Sequence, residues 1–253
     1  MEKNAGHILM AKLTNIQYED SVKNGRSYET IKDMNRSIFS CMHTVNLESQ
    51  LFYRARIINI KEDVNTGKGI AMINNKLSGG FDDVNSWMPK KEKCKAGRLN
   101  KDHEQVLYVA EDINTTLGEV KPEREDNVSV AIYKVISPIN ILDFSAYSRS
   151  DLDNAFTEKQ KKDFAERFSC DIRERFSAIQ EYLTIPRHAN NDYLLSNSIS
   201  ETLKEYPING IRYLSFYTKK CNVALWNVQH SNFIFGGSKI YNASDRIIVN
   251  TVK

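Results

Sequence analysis

Apolar residues recur along this 253-residue chain in two rhythms, one suited to strands and one to helices. "LFYRARIINI" (51–60) alternates, with Tyr53, Ala55 and Ile57 pointing one way and Phe52, Arg54 and Arg56 the other, which predicts a strand with two unlike faces. Short apolar runs at 106–110, 128–135 and 139–144, then "IRYLSFY" (211–217) and "NVALWNV" (222–228), predict further strands. The helical rhythm first appears within the polar stretch 1–50, where Ile31, Met34, Ile38 and Met42 stand three and four apart. It returns as one long stripe, Phe164, Phe168, Ile172, Phe176, Ile179 and Leu183. That helix opens at Thr157 with Gln160 as capping-box partner and stops before Pro186. A further helix over about 192–205 carries Leu195, Ile199 and Leu203, and Asn209-Gly210 reads as a turn. Strands at both ends with helices between them predict an α+β domain rather than a doubly wound sheet.

The segment 61–101 fits neither rhythm and holds five of the eleven glycines, so it reads as one or two long loops. Its last part, "KKEKCKAGRLNK", carries six Lys/Arg against one Glu, yet no aromatic residue interleaves to stack bases. On charge alone it is a solvated loop, and the whole-chain charge of +3 gives no sign of a polyanion partner. Composition, at 41% hydrophobic and 26% charged, is that of an ordinary globular protein. No window approaches a membrane span, and the opening "MEKNAGHILMAKL" lacks the apolar core of a signal peptide. Cys41, Cys94, Cys170 and Cys221 are far apart and the five histidines are scattered; the expectation is a cytoplasmic protein with reduced thiols and no metal. Phosphate-loop, dinucleotide, zinc-protease and serine-hydrolase motifs are all missing.

One long-range order of blocks stands above this background. "LFYRAR" (51–56), "AGRLN" (96–100), "VLYVAEDINTTLGEV" (106–120), "INILDF" (139–144), "YLLSNSISETLKEYPINGIRYLSF" (193–216) and "CNVALW" (221–226) resemble, in sequence, the RES domain family. The resemblance implies an ADP-ribosyltransferase-like core of short, mostly antiparallel strands with helices packed around it, spanning 51–253 after a helical extension at 1–50. Against compact members, the stretches near 61–95 and 145–190 read as insertions. Carried over position by position, the family's arginines fall on Arg54 and Arg98, its strand tyrosine on Tyr108, its glutamate on Glu119, its serine on Ser215 and a late asparagine on Asn222. Leu99 stands where the family has an aromatic residue.

What the resemblance implies is NAD turnover by a toxin that a helix-turn-helix (Xre-like) antitoxin neutralises. Glu119, Arg98, Tyr108 and Ser215 form the implied catalytic set, with Arg54, Arg98, Tyr108, Ser215 and Asn222 binding NAD. The residue types suit that chemistry. Planar guanidinium groups clasp a pyrophosphate, and a fixed carboxylate stabilises the charge that develops on the ribose as the nicotinamide bond breaks. Tyr108 offers a flat face for nicotinamide, and Ser215 is assigned orientation rather than attack, since no histidine is seen to activate it. The glycine-rich 61–95 stretch is expected to cover the pyrophosphate. The acceptor stays open: inorganic phosphate gives a phosphorylase, water a glycohydrolase, a protein side chain an ADP-ribosyltransferase. Two other classes also remain, a non-catalytic module of the same fold and a nucleic-acid binder through 90–101. Singly, each residue also has an ordinary role, such as a helix-dipole partner for Glu119 or a surface ion pair for Arg54.

Overall fold

Most of the predicted strands are apolar on both faces, and such strands must be covered on both sides. A computed structural model of the protein, describing residues 28–147, 152–184 and 193–243, shows how this is done. Eight strands form one sheet in the order β1-β7-β8-β9-β5-β2-β6-β10. They are β1 (Thr44–Leu47), β2 (Leu51–Ile57), β5 (Leu107–Ala110), β6 (Asn127–Val135), β7 (Ile139–Asp143), β8 (Gly210–Leu214), β9 (Cys221–Leu225) and β10 (Phe233–Asn242). Only β7 and β8 pair in parallel; the other neighbours are antiparallel. β3 (Ile70–Ile73) and β4 (Lys76–Gly79) make a separate hairpin. The helices of eight residues or more are α1 (Tyr28–Phe39), α2 (Ile113–Val120), α3 (Glu158–Phe168), α4 (Ile172–Thr184) and α5 (Tyr193–Lys204).

Alternation along the strands divides the core into two. Leu142, Ile211, Tyr213 and Ala224 meet α1, α3, α4 and α5 through Ile31, Ile38, Phe164, Phe176, Leu183, Ile199 and Leu203. Leu107, Val109, Ile139, Ile141, Val223 and Leu225 face the other way and pack with Tyr133, Phe233 and the partly buried Trp87. The architecture is the expected α+β, with a mostly antiparallel sheet.

Several elements differ from the sequence reading. The stripe 164–183 lies on two helices, because Ser169 takes a left-handed conformation (φ 54°, ψ 36°) and Asp171 then accepts the Arg173 N–H at 2.8 Å. The Thr157–Gln160 capping box is present. Phe168 and Ile172 keep a four-residue spacing across the break, so periodicity did not reveal it. In the expected helical extension, Tyr28–Phe39 is a helix packed in the main core, whereas Thr44–Leu47 is an edge strand. Residues 1–27, Pro186 and the Leu195 side chain lie outside the described residues. Gly210 begins β8 instead of a turn: a Cβ there would stand 2.4 Å from the Ala224 carbonyl, so close strand approach requires glycine.

Within the glycine-rich stretch, residues 70–79 form a hairpin instead of a loop. Gly69 and Gly79 have φ of 89° and 92° at the base of the β3–β4 hairpin, and a Cβ on Gly69 would lie 2.5 Å from the Gly80 carbonyl. Ile70 and Phe81 then pack with Ile58 and Ile240, while the Ser129 hydroxyl accepts the Phe81 N–H at 2.9 Å. This seats the hairpin on β6 and β10. Among the described residues, no helix is long and apolar enough to cross a membrane, and no cluster of His, Cys, Asp or Glu is placed to hold a metal.

Arg36 on α1 clasps Glu205, just past α5, through two hydrogen bonds of 2.7 and 2.9 Å, and Lys32 adds a contact of 3.0 Å. The Arg36 hydrogen bond is the main cause that lowers the Glu205 pKa from 4.5 to about 2. A depressed carboxyl stabilises the fold above its unfolded pKa and loses that contribution as pH falls through the folded one. Because the pair is over a third exposed, its worth is at most about 1 kcal/mol. Glu205→Gln should therefore lower stability in urea at neutral pH, with the difference from the parent shrinking as pH drops from 4.5 toward 2. A difference that does not change with pH would remove this ion pair from the account.

Candidate active site

β2 is fully laddered to β6 from Leu51 to Ile57, but it is registered with β5 only where Tyr53 faces Ala110. Beyond that pair a cleft of about 350 Å³ opens, lined by Arg54, Arg98, Tyr108, Thr116, Glu119, Tyr213 and Asn222 among others. That volume lies at the low end of the range for small-molecule sites. Where the ladder stops, the Arg54 guanidinium bridges the gap, and its Nη1 donates to the Tyr108 carbonyl at 3.1 Å. Its Nε is buried with no hydrogen-bond partner. Burial, with Arg56 nearby as a second cause, lowers its pKa to about 10. The charge is kept; Tyr133 and Cys94 oppose the desolvation only in part, and no described carboxylate forms an ion pair with it.

The sequence leading to Glu119 is explained position by position. Asp112 caps α2, accepting the Thr115 N–H at 3.0 Å and the Thr115 hydroxyl at 2.5 Å. The same hydroxyl meets Thr218 on the β8–β9 hairpin at 2.5 Å. Thr116 donates to the Tyr53 carbonyl at 3.0 Å and so fastens α2 to β2. Leu117 is buried against Ala55, Val128 and Val130. Gly118 abuts Tyr217, whose Cβ would lie 3.2 Å from an added Cβ. The helix is thereby fixed to both walls of the cleft just before Glu119.

Two side chains hold the carboxylate by one oxygen. Glu119 Oε1 accepts from the Ser215 hydroxyl at 2.7 Å and from Asn222 Nδ2 at 2.6 Å. Neither bond uses Oε2. Ser215 is fully buried, and its hydroxyl also accepts the Tyr217 N–H at 3.2 Å. It stands behind Glu119 and does not line the cleft, whereas Asn222 does. Ser215 thus touches the carboxylate rather than the space a ligand would fill.

Arg98 is positioned through its neighbours. The Tyr108 hydroxyl donates to Asn100 Oδ1 and accepts the Leu99 N–H, both at 2.9 Å, and Gly97 bridges to Asn100. Leu99 is wholly buried in the helix-facing core, and its carbonyl accepts from Ser200 at 2.7 Å and Lys204 at 3.1 Å. An aromatic residue at that position would enter the core, not the cleft. Between these anchors Arg98 projects to the Leu183 carbonyl at the end of α4, and its Cζ lies 5.4 Å from the centre of the Tyr213 ring. Burial pushes the Tyr108 and Tyr213 hydroxyls well above their usual pKa. Both stay protonated at neutral pH.

Five of the six residues singled out in the sequence therefore line one cleft, and the sixth, Ser215, supports Glu119 from behind. Tyr213 and Thr116 were missed. Tyr213 precedes Ser215 by two positions on a strand run, so alternation already put it on the same face. No described residue of 61–95 is among those lining the cleft, so the expected cover over it is not seen. Arginines to bind an anion, a held carboxylate to face a cation and two aromatic rings make the arrangement suited to a ligand with a phosphate and a cationic ring.

One comparison with known proteins covers most of the same residues. The family model described as RES domain matches residues 78–236. That stretch takes in Arg98, Tyr108, Glu119, Ser215 and Asn222, while Arg54, named from the longer run of blocks in the sequence, lies upstream of the match and lines the same cleft. No curated protein matches the chain. Among solved structures, the crystal structure of the M. tuberculosis MbcT–MbcA toxin–antitoxin complex is similar at 10% identity and a TM-score of 0.47, over 86% of this chain and 96% of that one.

The anchoring of Arg98 can be tested without a ligand. Tyr108→Phe strands the buried Leu99 N–H and one Asn100 oxygen, at a cost of about 1–3 kcal/mol. Urea unfolding should show that loss, and hydrogen exchange should speed up at the Leu99 amide. Unchanged exchange there would mean that the hydroxyl does not hold the turn.

Proposed function

This chain belongs to the RES domain family, and we propose that its cleft binds NAD and cleaves the nicotinamide–ribose bond, making it a toxin neutralised by a cognate helix-turn-helix antitoxin. The observation that carries this reading is the pairing, in one cleft, of a partly buried guanidinium that has no ion pair among the described residues with a carboxylate held by one oxygen. A desolvated cation with no ion pair among the described residues favours an anionic ligand, and the NAD pyrophosphate is one that planar guanidinium groups bind well. Arg98, kept near the Tyr213 ring, supplies the second clasp.

With the pyrophosphate so placed, the nicotinamide ribose sits beside Glu119. The bond from C1′ to the ring nitrogen breaks with its electron pair going to nitrogen, which releases neutral nicotinamide. Positive charge develops at C1′ and the ribose ring oxygen. Glu119 faces it through Oε2, and the bonds from Ser215 and Asn222 hold the carboxylate in that orientation before the charge appears. An oxygen of phosphate or water then bonds to C1′, and a proton is released. Tyr108 and Tyr213 offer ring surface for the nicotinamide. Ser215 acts through Glu119 and not on the substrate.

Incubation with NAD, with and without phosphate, should release nicotinamide together with ADP-ribose or its 1″-phosphate. Glu119→Gln should cut turnover about a hundredfold or more with NAD binding nearly intact. Arg54→Met removes a desolvated charge together with its hydrogen bond to the Tyr108 carbonyl, two opposed effects, so the unliganded protein should unfold at a similar temperature. That variant should bind NAD roughly ten- to a hundredfold more weakly. An Arg54→Met protein that binds and turns over NAD like the parent would overturn this reading of the cleft.

A further inference from the structure

Leu99, next to Arg98, is gripped through its backbone at both ends. Its N–H donates to the Tyr108 hydroxyl at 2.9 Å, and its carbonyl accepts from Ser200 Oγ at 2.7 Å and Lys204 Nζ at 3.1 Å. Both lone pairs of that oxygen are thereby used. Ser200 and Lys204 stand four apart on α5, so one face of the helix presents two donors to one acceptor. Lys204 also binds Glu104 at 2.5 Å, and Glu104 accepts the Lys101 N–H at 2.9 Å. From the same helix, Glu201 pairs with Lys101. α5 therefore holds the turn 97–104 at both ends, and Arg98 is the residue of that turn that lines the cleft.

Neither donor is a choice that stability alone would favour. Ser200 is buried inside a helix, where a hydroxyl commonly bonds back to its own preceding turn. Thr202 does so, donating to the Ser198 carbonyl at 2.6 Å. Ser200 instead donates across to a carbonyl 101 residues earlier in the chain. The Lys204 side chain is only 20% exposed, and burial lowers its pKa although Glu104 opposes the shift. Desolvating an ammonium costs free energy, yet this one is turned inward onto the Leu99 carbonyl. The reach of Arg98 to the Leu183 carbonyl and the Tyr213 ring depends on where its Cα stands, and the Leu99 backbone bonds set that position.

We infer that Ser200 and Lys204 are positioning residues of the site, acting through the Leu99 carbonyl to aim Arg98 at a phosphate in the cleft. The consequence for binding rests on the proposed NAD reading; the geometry does not. Ser200→Ala and Lys204→Met, followed by NAD calorimetry and steady-state turnover, should weaken binding about three- to tenfold and leave turnover at saturation near that of the parent. Lys204→Arg, which keeps a charged donor, should restore most of the affinity. In an Arg98→Ala background, Lys204→Met should cost no further affinity, because both changes remove one contact. A merely structural role would instead lower the active fraction with KM unchanged, or add to the Arg98→Ala loss, and either result would overturn the inference. Should Lys204→Met fail to fold, Ser200→Ala, which removes only a hydroxyl, carries the same comparisons. Without ligand, the Arg98 Nε–H resonance, identified by its loss in Arg98→Ala, should shift in Ser200→Ala and Lys204→Met and keep its place in Lys204→Arg. A protein that ignores NAD but shows those shifts loses the NAD reading and keeps the positioning. A protein that binds NAD while the resonance stays in place loses the positioning alone.

Discussion

A partly buried guanidinium with no ion pair among the described residues is unfavourable on its own, and the cleft is organised around that charge. Arg54 is there because the β2–β5 ladder stops after Tyr53 and Ala110, and its side chain takes up the Tyr108 carbonyl where strand pairing has ended. The open ladder makes the space, and the Arg54 guanidinium at its wall gives it a positive charge. A protein selected only for stability would replace such a residue by an apolar one of similar size. Its presence is best understood as a cost carried by the empty protein and offset when ligand binds.

Around that charge the fold separates groups that meet the ligand from groups that hold them. Glu119 is fixed by Ser215 and Asn222 at one oxygen and by the Thr115, Thr116 and Gly118 contacts of its helix. Arg98 is fixed by the Tyr108 hydroxyl through the backbone of the next two residues. Each positioning group is itself buried or hydrogen-bonded, so a cation and an anion keep their places without neutralising each other. Preorganisation of this kind lets a carboxylate stabilise a transient cation without first rearranging.

The central strands were legible because their apolar runs are buried on both faces, as Val223, Ala224 and Leu225 on β9 show. β1 was not legible, being four residues with only Leu47 buried. β10 was obscured by Gly236 and Gly237, where its pairing with β6 shifts register between Phe235 and Ser238. The site residues were legible as a set, through the order of their blocks along the chain. Their division of labour was not. That Ser215 turns to Glu119, or that the Tyr108 hydroxyl serves a neighbouring turn, depends on tertiary contacts of high sequence separation that local pattern does not encode.

The claim that Arg54 and Glu119 divide a dinucleotide between them is tested most directly by a crystal structure of the Glu119→Gln protein soaked with NAD. The account predicts a pyrophosphate oxygen within hydrogen-bond distance of the Arg54 guanidinium, and the nicotinamide ribose C1′ facing the substituted side chain. A structure in which NAD lies outside the cleft, or inside it without touching the Arg54 guanidinium, would contradict it.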